Sequence, residues 1–210
     1  TACPSLPTSV AGSALSALAA SMSAGSWAKL TPANDQNPIL GVGSVSGTML
    51  HYCNSMPWNP VSRCIEIIGM DHSYPALRHV RYVEASNQFV LVTDNTGLGQ
   101  GHGYDHNAVN PYTGDLYHRL YSGFSGQISV RRKAVGASSF ASVPSVPATD
   151  QVSIGACWWS GSFAGAGAQG CLMLFNSGNG TGGPNNGHIA AFDPLTNNWF
   201  YSQVGKAPGY

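Results

Sequence analysis

Three stretches of this chain write nearly the same turn: "MPWNPVSRCI" (56–65), "HNAVNPYTGD" (106–115) and "AAFDPLTNNW" (190–199). Each sets Asn or Asp before Pro, between two apolar arms. Pro fixes φ, and Asn or Gly tolerates the left-handed backbone that a tight turn needs. Pro60 and Pro111 stand 51 residues apart, and at that offset His51 falls on His102, Asn59 on Asn110 and Ile65 on Leu116. A second turn, "RYVEASNQFV" (81–90), lands on "RKAVGASSFA" (132–141), so that Tyr82 meets Lys133 and Phe89 meets Phe140. "AFDPLTNNWF" (191–200) is the next copy of this second turn, with Trp199 in the aromatic place. A fixed period of this length is the mark of a repeat protein.

The unit has about 50 residues and two hairpins, with arms rich in Val, Ile, Leu, Tyr and Phe, a strand pattern. Two hairpins make a four-stranded antiparallel sheet. The expectation is an all-β chain with three such units at 46–95, 101–147 and 151–204, preceded by a segment at 1–25 and a closing outer strand with a linker at 26–45. Within the first segment "SALSALAASM" (13–22) reads as a short helix. "GSWAKLTP" (25–32) reads as the outer strand, with Trp27 in the place of Phe140 and Trp199.

A four-stranded unit of this size is that of a β-propeller blade. "GYDHNAVNPYTGDLYHR" (103–119) and "AAFDPLTNNW" (190–199), with an aromatic seven residues after Phe192, resemble the kelch-type propeller of galactose-oxidase-like proteins. The resemblance spans residues 26–210 and implies a fold more than an activity. Three blades do not close a ring, since propellers use about four to eight. The expectation is that these residues belong to a longer polypeptide with further C-terminal blades, or that other subunits complete the ring. A sandwich or open array of three sheets is the alternative.

Composition narrows the partners. Charged residues make up 9% of the chain, with nine basic against nine acidic, so no basic patch suits a nucleic acid. The surface must be polar and uncharged, as on secreted and virion proteins. No apolar run reaches the about 18 residues of a membrane span. The five cysteines show no zinc spacing. Cys53 and Cys64, and Cys157 and Cys171, fall on paired arms of first hairpins. They are expected to form two hairpin disulfides in an oxidising compartment, with buried free thiols as the other reading. Cys3 is left over for another chain or segment.

The densest polar cluster is "GQGHGYDHNAVNP" (99–111). In a propeller the first strand of each blade lines the channel. His51, His102, Tyr104, Asp105 and His106 are therefore candidate ligand-binding residues at the channel mouth. No cofactor is expected, with copper or calcium as the ions such a mouth would take. The copper-radical oxidases that share the propeller take their ligands from several blades and a further domain, and that set has no residue-by-residue match here. Backbone bonding of each His to a neighbouring blade is the other reading.

"GMDHSYPALRH" (69–79) offers Asp71, His72 and His79 as a polar connecting loop, with no nucleophile elbow beside it. "VRRK" (130–133) reads as a solvated sheet edge. Trp58 and Tyr112 are candidate surface aromatics for a glycan or protein contact, whereas Trp158 and Trp199 suit packing between blades. "NGT" (179–181) is a glycosylation sequon for a secretory pathway. With no complete catalytic constellation, the function expected is a non-catalytic recognition or assembly module on an extracellular, filament or virion surface, binding protein or glycan. A fragment of a secreted galactose-oxidase-like metalloenzyme and a purely structural subunit are the alternatives.

Overall fold

The computed structural model describes residues 12–41, 48–71, 76–99, 103–120, 129–146, 154–161, 169–176 and 188–203. Within them the chain is mostly β, with three four-stranded antiparallel sheets and two short helices. The first sheet is β1 (Trp58–Asn59), β2 (Cys64–Gly69), β3 (Arg78–Val83) and β4 (Gln88–Thr93). The second is β5 (Asn107–Val109), β6 (Leu116–Arg119), β7 (Val130–Lys133) and β8 (Ala141–Ser142). The third is β9 (Ile154–Trp159), β10 (Cys171–Asn176), β11 (His188–Asp193) and β12 (Asn198–Gln203). Strands follow one another in sequence order across each sheet.

The turns explain the register. Asn59 Oδ1 accepts the backbone N–H groups of Val61 and Ser62, and Asn110 Oδ1 those of Tyr112 and Thr113. Asp193 Oδ1 does the same for Leu195 at 2.8 Å. In each case the side chain holds the Pro turn closed, and the strands pair from there. The turns of the first two sheets end on left-handed residues, Arg63 (φ 54) and Gly114 (φ 76). At Gly114 a Cβ would stand 2.6 Å from Val135 Cγ2, so Gly is required twice over. The second-hairpin turns end alike, on Asn87 (φ 53) and Asn197 (φ 56).

The repeat also places equivalent residues in equivalent pairs. Tyr82 faces Phe89, and Phe192 faces Trp199, with ring centroids 5.5 Å and 5.1 Å apart. In the middle sheet Lys133 takes the first aromatic's place, and its Nζ sits 5.7 Å from the Phe140 ring centre.

The sheets pack face on face. On β5 and β6, Val109, Leu116 and His118 turn toward the first sheet, while Ala108 and Tyr117 turn toward the third. One apolar cluster joins Ile67, Ile68 and Val80 to Val109 and Leu116. A second joins Ala108, Tyr117 and Val130 to Leu172, Leu174, Ala190 and Phe192. β5 and β6 are buried along their whole length. A sheet covered on both faces must bury every side chain, polar ones included.

The N-terminal part corrects one expectation. α1 (Ala14–Ser21) is the helix read at 13–22, capped by Ser13 Oγ on Ser16 N. The stretch 22–36 forms no strand, and Trp27 is 98% exposed. The segment meets the start of β4 by isolated bonds instead of a ladder: Ala33 N donates to Asn87 O at 2.7 Å, and the Asn34 side chain accepts from Phe89 N and donates to Phe89 O. An amide that mimics a strand for one residue ends the pairing there. α2 (Asn37–Leu40) follows and packs Ile39 and Leu40 against the first core cluster.

The cysteines correct another. Cys53, Cys64, Cys157 and Cys171 all carry free thiols. Cys64 faces Asn59, while Cys53 lies before β1 and pairs with Tyr104. Cys171 faces Trp159 and Cys157 faces Met173, which makes this pair diagonal. Diagonal neighbours stand about 7–8 Å apart, beyond the about 4 Å between Cβ atoms that a disulfide wants. Cys3 lies outside the described residues.

Candidate functional site

The segments entering the first strands meet side by side. Tyr104 N donates to Tyr52 O, and Tyr104 O accepts from Asn54 N and Ser55 N at 2.7 and 2.9 Å. Cys53 and Tyr104 form a parallel bridge, and Ala156 N reaches Asp105 O at 2.8 Å. Glycine allows this approach. A Cβ on Gly103 would run into Ile68 O, and one on Gly155 would stand 2.9 Å from Asp105 Oδ2.

Of the five candidate residues, four are described. His51 is exposed, with its ring 60% accessible, and its Nδ1 lies 2.9 Å from Asp71 Oδ2. Tyr104 and Asp105 are half-buried. Tyr104 carries φ 33, unusual for a residue with a side chain. Its ring stands edge-on to Tyr52 at 6.0 Å and to His106 at 5.4 Å. His106 is fully buried and accepts from Arg119 Nη1 at 3.1 Å, so it floors the group rather than lining an open channel. His102 and His72 lie outside the described residues. Among the described residues no three His, Cys, Asp or Glu side chains group as metal ligands would.

Beneath lies His118, also fully buried. Asn107 Nδ2 donates to Ser55 O and Ile68 O, which leaves its Oδ1 to accept from His118 Nδ1 at 2.8 Å. Burial, then the charge of the neighbouring Arg119, lowers His118 to about 3. The ring is therefore neutral at pH 7, with its proton on Nδ1.

A second polar cluster lies between the first two sheets, and its members overturn two sequence readings. His79 belongs to β3 and is fully buried, not part of a connecting loop. Lys133 is buried in β7, which runs between β6 and β8 rather than along a solvated edge. His79 Nε2 donates to Glu66 Oε2 at 2.6 Å, and Arg81 Nε donates to the same oxygen at 2.8 Å. Asn59 Nδ2 holds Glu66 Oε1 at 3.2 Å and also donates to Gly114 O across the sheets. Lys133 Nζ approaches His79 Nδ1 at 3.4 Å. Burial pushes the Glu66 carboxyl up, but the bonds from His79 and Arg81 outweigh it and hold it at about 2. Burial lowers His79, although Glu66 pulls the other way, and burial lowers Lys133 as well.

Glu66 and Arg81 were not among the residues singled out from the sequence. The available signal was a charge in an apolar strand, "CIEIIG", facing a strand that carries His79 and Arg81 on one face, "RHVRYV". Of the aromatics, Trp58 is half-buried with the Arg63 guanidinium 4.9 Å from its ring centre, and Tyr112 is half-buried in its turn. Trp158 stacks on Tyr117 at 6.1 Å, and Trp199 Nε1 donates to Pro144 O, so both join the second sheet to the third. No protein-family model matches this chain, and no curated protein matches it. No helix among the described residues is long and apolar enough to cross a membrane.

Proposed function

We propose that the three sheets are blades of a propeller-type ring and that the chain is a non-catalytic recognition module of an extracellular, filament or virion surface. The blade reading is supported by the parallel contact of the entering segments, since propeller blades set their first strands side by side about an axis. The observation that carries recognition is Tyr104. A residue with a side chain at φ 33 costs about 1–3 kcal/mol, and such strain collects at binding sites. Here it sets a phenol beside Tyr52, at the end where the His51–Asp71 pair meets solvent. Aromatic edges with a carboxylate and an imidazole suit a neutral, hydroxyl-rich ligand such as a glycan. Screening against immobilised neutral glycans tests this. Tyr104→Ala and His51→Ala should each lower a wild-type signal at least tenfold while leaving the thermal midpoint of His51→Ala unchanged. Absence of wild-type binding, or binding at the wild-type level by either variant, would sink the reading.

A second reading, assembly with other subunits, is favoured by the N-terminal arm. α1 buries none of its residues and Trp27 stands in solvent. Light scattering over a concentration series should show association that Trp27→Ser reduces. A single monomer mass throughout would remove it.

A further inference from the structure

His79 is gripped from two sheets at once. Its Nε2 meets Glu66 of β2 at 2.6 Å, and its Nδ1 meets Lys133 of β7 at 3.4 Å. An ammonium has donors and no acceptor. The ring nitrogen facing Lys133 must therefore be bare, and the ring proton must sit on Nε2, where the carboxylate accepts it. The other groups around the ring are Arg81 of β3 on the same Glu66 oxygen, Cys64 of β2 on Glu66 Oε1 at 3.4 Å, His118 of β6, and the Phe140 ring at 6.4 Å. Glu66 is the one anion in that set, and it already serves His79 and Arg81.

We propose that His79 is a proton-operated latch between the first and second sheets. The neutral ring accepts Lys133 and holds the sheets together. A proton added at Nδ1 turns the acceptor into a donor facing a donor. It also sets a second cation beside Lys133 in a space with little water to screen it. Glu66 keeps its bond to the ring, which ties the imidazolium to the first sheet. Lys133 is the member that leaves, and with it β7 loosens. The consequence is an interface that opens on the acid side of the imidazole range while each sheet keeps its own ladder.

Amide exchange of the intact chain, corrected for intrinsic rates, measures this. Protection of the β7 amides should fall at least tenfold between about pH 7 and about pH 4. In His79→Gln, whose amide has a donor and an acceptor and does not titrate, the fall at β7 should be at least fivefold smaller than in the wild type, what remains being the global acid loss set by His118 and Glu66. An equal acid loss in both proteins would overturn the latch. If His79→Gln does not fold, the wild-type ring decides alone. Its nitrogen shifts at pH 7 should report the proton on Nε2, and a proton on Nδ1 overturns the proposal.

Discussion

Asn59 shows how much one side chain can hold. Its oxygen closes the first turn, and its amide nitrogen bonds both Glu66 and the backbone of the neighbouring sheet's turn. Asn59→Ala removes all of these and leaves a buried carboxylate oxygen short of a donor. The expected cost is about 2–4 kcal/mol, against about 1 kcal/mol for Asn110→Ala, whose side-chain oxygen closes its own turn. Urea unfolding of the two variants checks the order. The thiols differ in the same way. Burial lifts Cys53 and Cys64 to about 12 and Cys171 to about 11, and Cys157 is exposed although its thiol is also raised. Among these four, native alkylation should label Cys157 first, as peptide mapping would show. Turn residues were legible in the sequence because Asx-Pro chemistry is local. Thiol state was not, because it depends on what lies across the sheet.

At the scale of the element, the hairpins follow from alternation and turns, and the first-hairpin turn read at 106–115 joins β5 to β6 as expected. What the strand pattern hides is the neighbour. "NAV" and "LYHR" look half-polar, yet every residue in them is buried, because the middle sheet has a partner on each face. The close approach of the second and third sheets depends on Gly155, where a Cβ would meet Asp105 Oδ2 at 2.9 Å. Gly155→Val should separate these sheets at their inner edge. Loss of the Tyr117–Trp158 stacking, seen as a shift in tryptophan emission, is the expected sign. An unchanged spectrum with unchanged stability would show that the approach is not tight.

For the whole molecule the buried titratable groups set an acid limit. His118 is lowered from 6.5 to about 3, so the unfolded chain takes its proton first as pH falls. Its contribution to stability is complete above about 6.5 and declines toward about 3. Glu66 is lowered from 4.5 to about 2, so its contribution is present above about 4.5 and is lost as pH falls toward about 2. Both act in one direction. Urea midpoints should decline steadily below about pH 6.5, with a steeper fall below about pH 4.5. His118→Asn keeps a donor to Asn107 without a titrating ring and should flatten the upper part of that curve. An identical curve for the variant would remove His118 as the cause.

By itself the sequence determined the period, the hairpins, the Asx-Pro turns, the short N-terminal helix and the all-β class. Each rests on residues a few positions apart, where φ restriction, side-chain caps and alternation act without the rest of the chain. Tertiary structure alone decided that Trp27 stands in solvent, that Asn34 rather than a strand meets β4, and that His106 is a floor. It also decided that Glu66, His79, Arg81 and Lys133 form one cluster. Those outcomes depend on which faces of which sheets meet, and burial then dictates which polar groups must find each other.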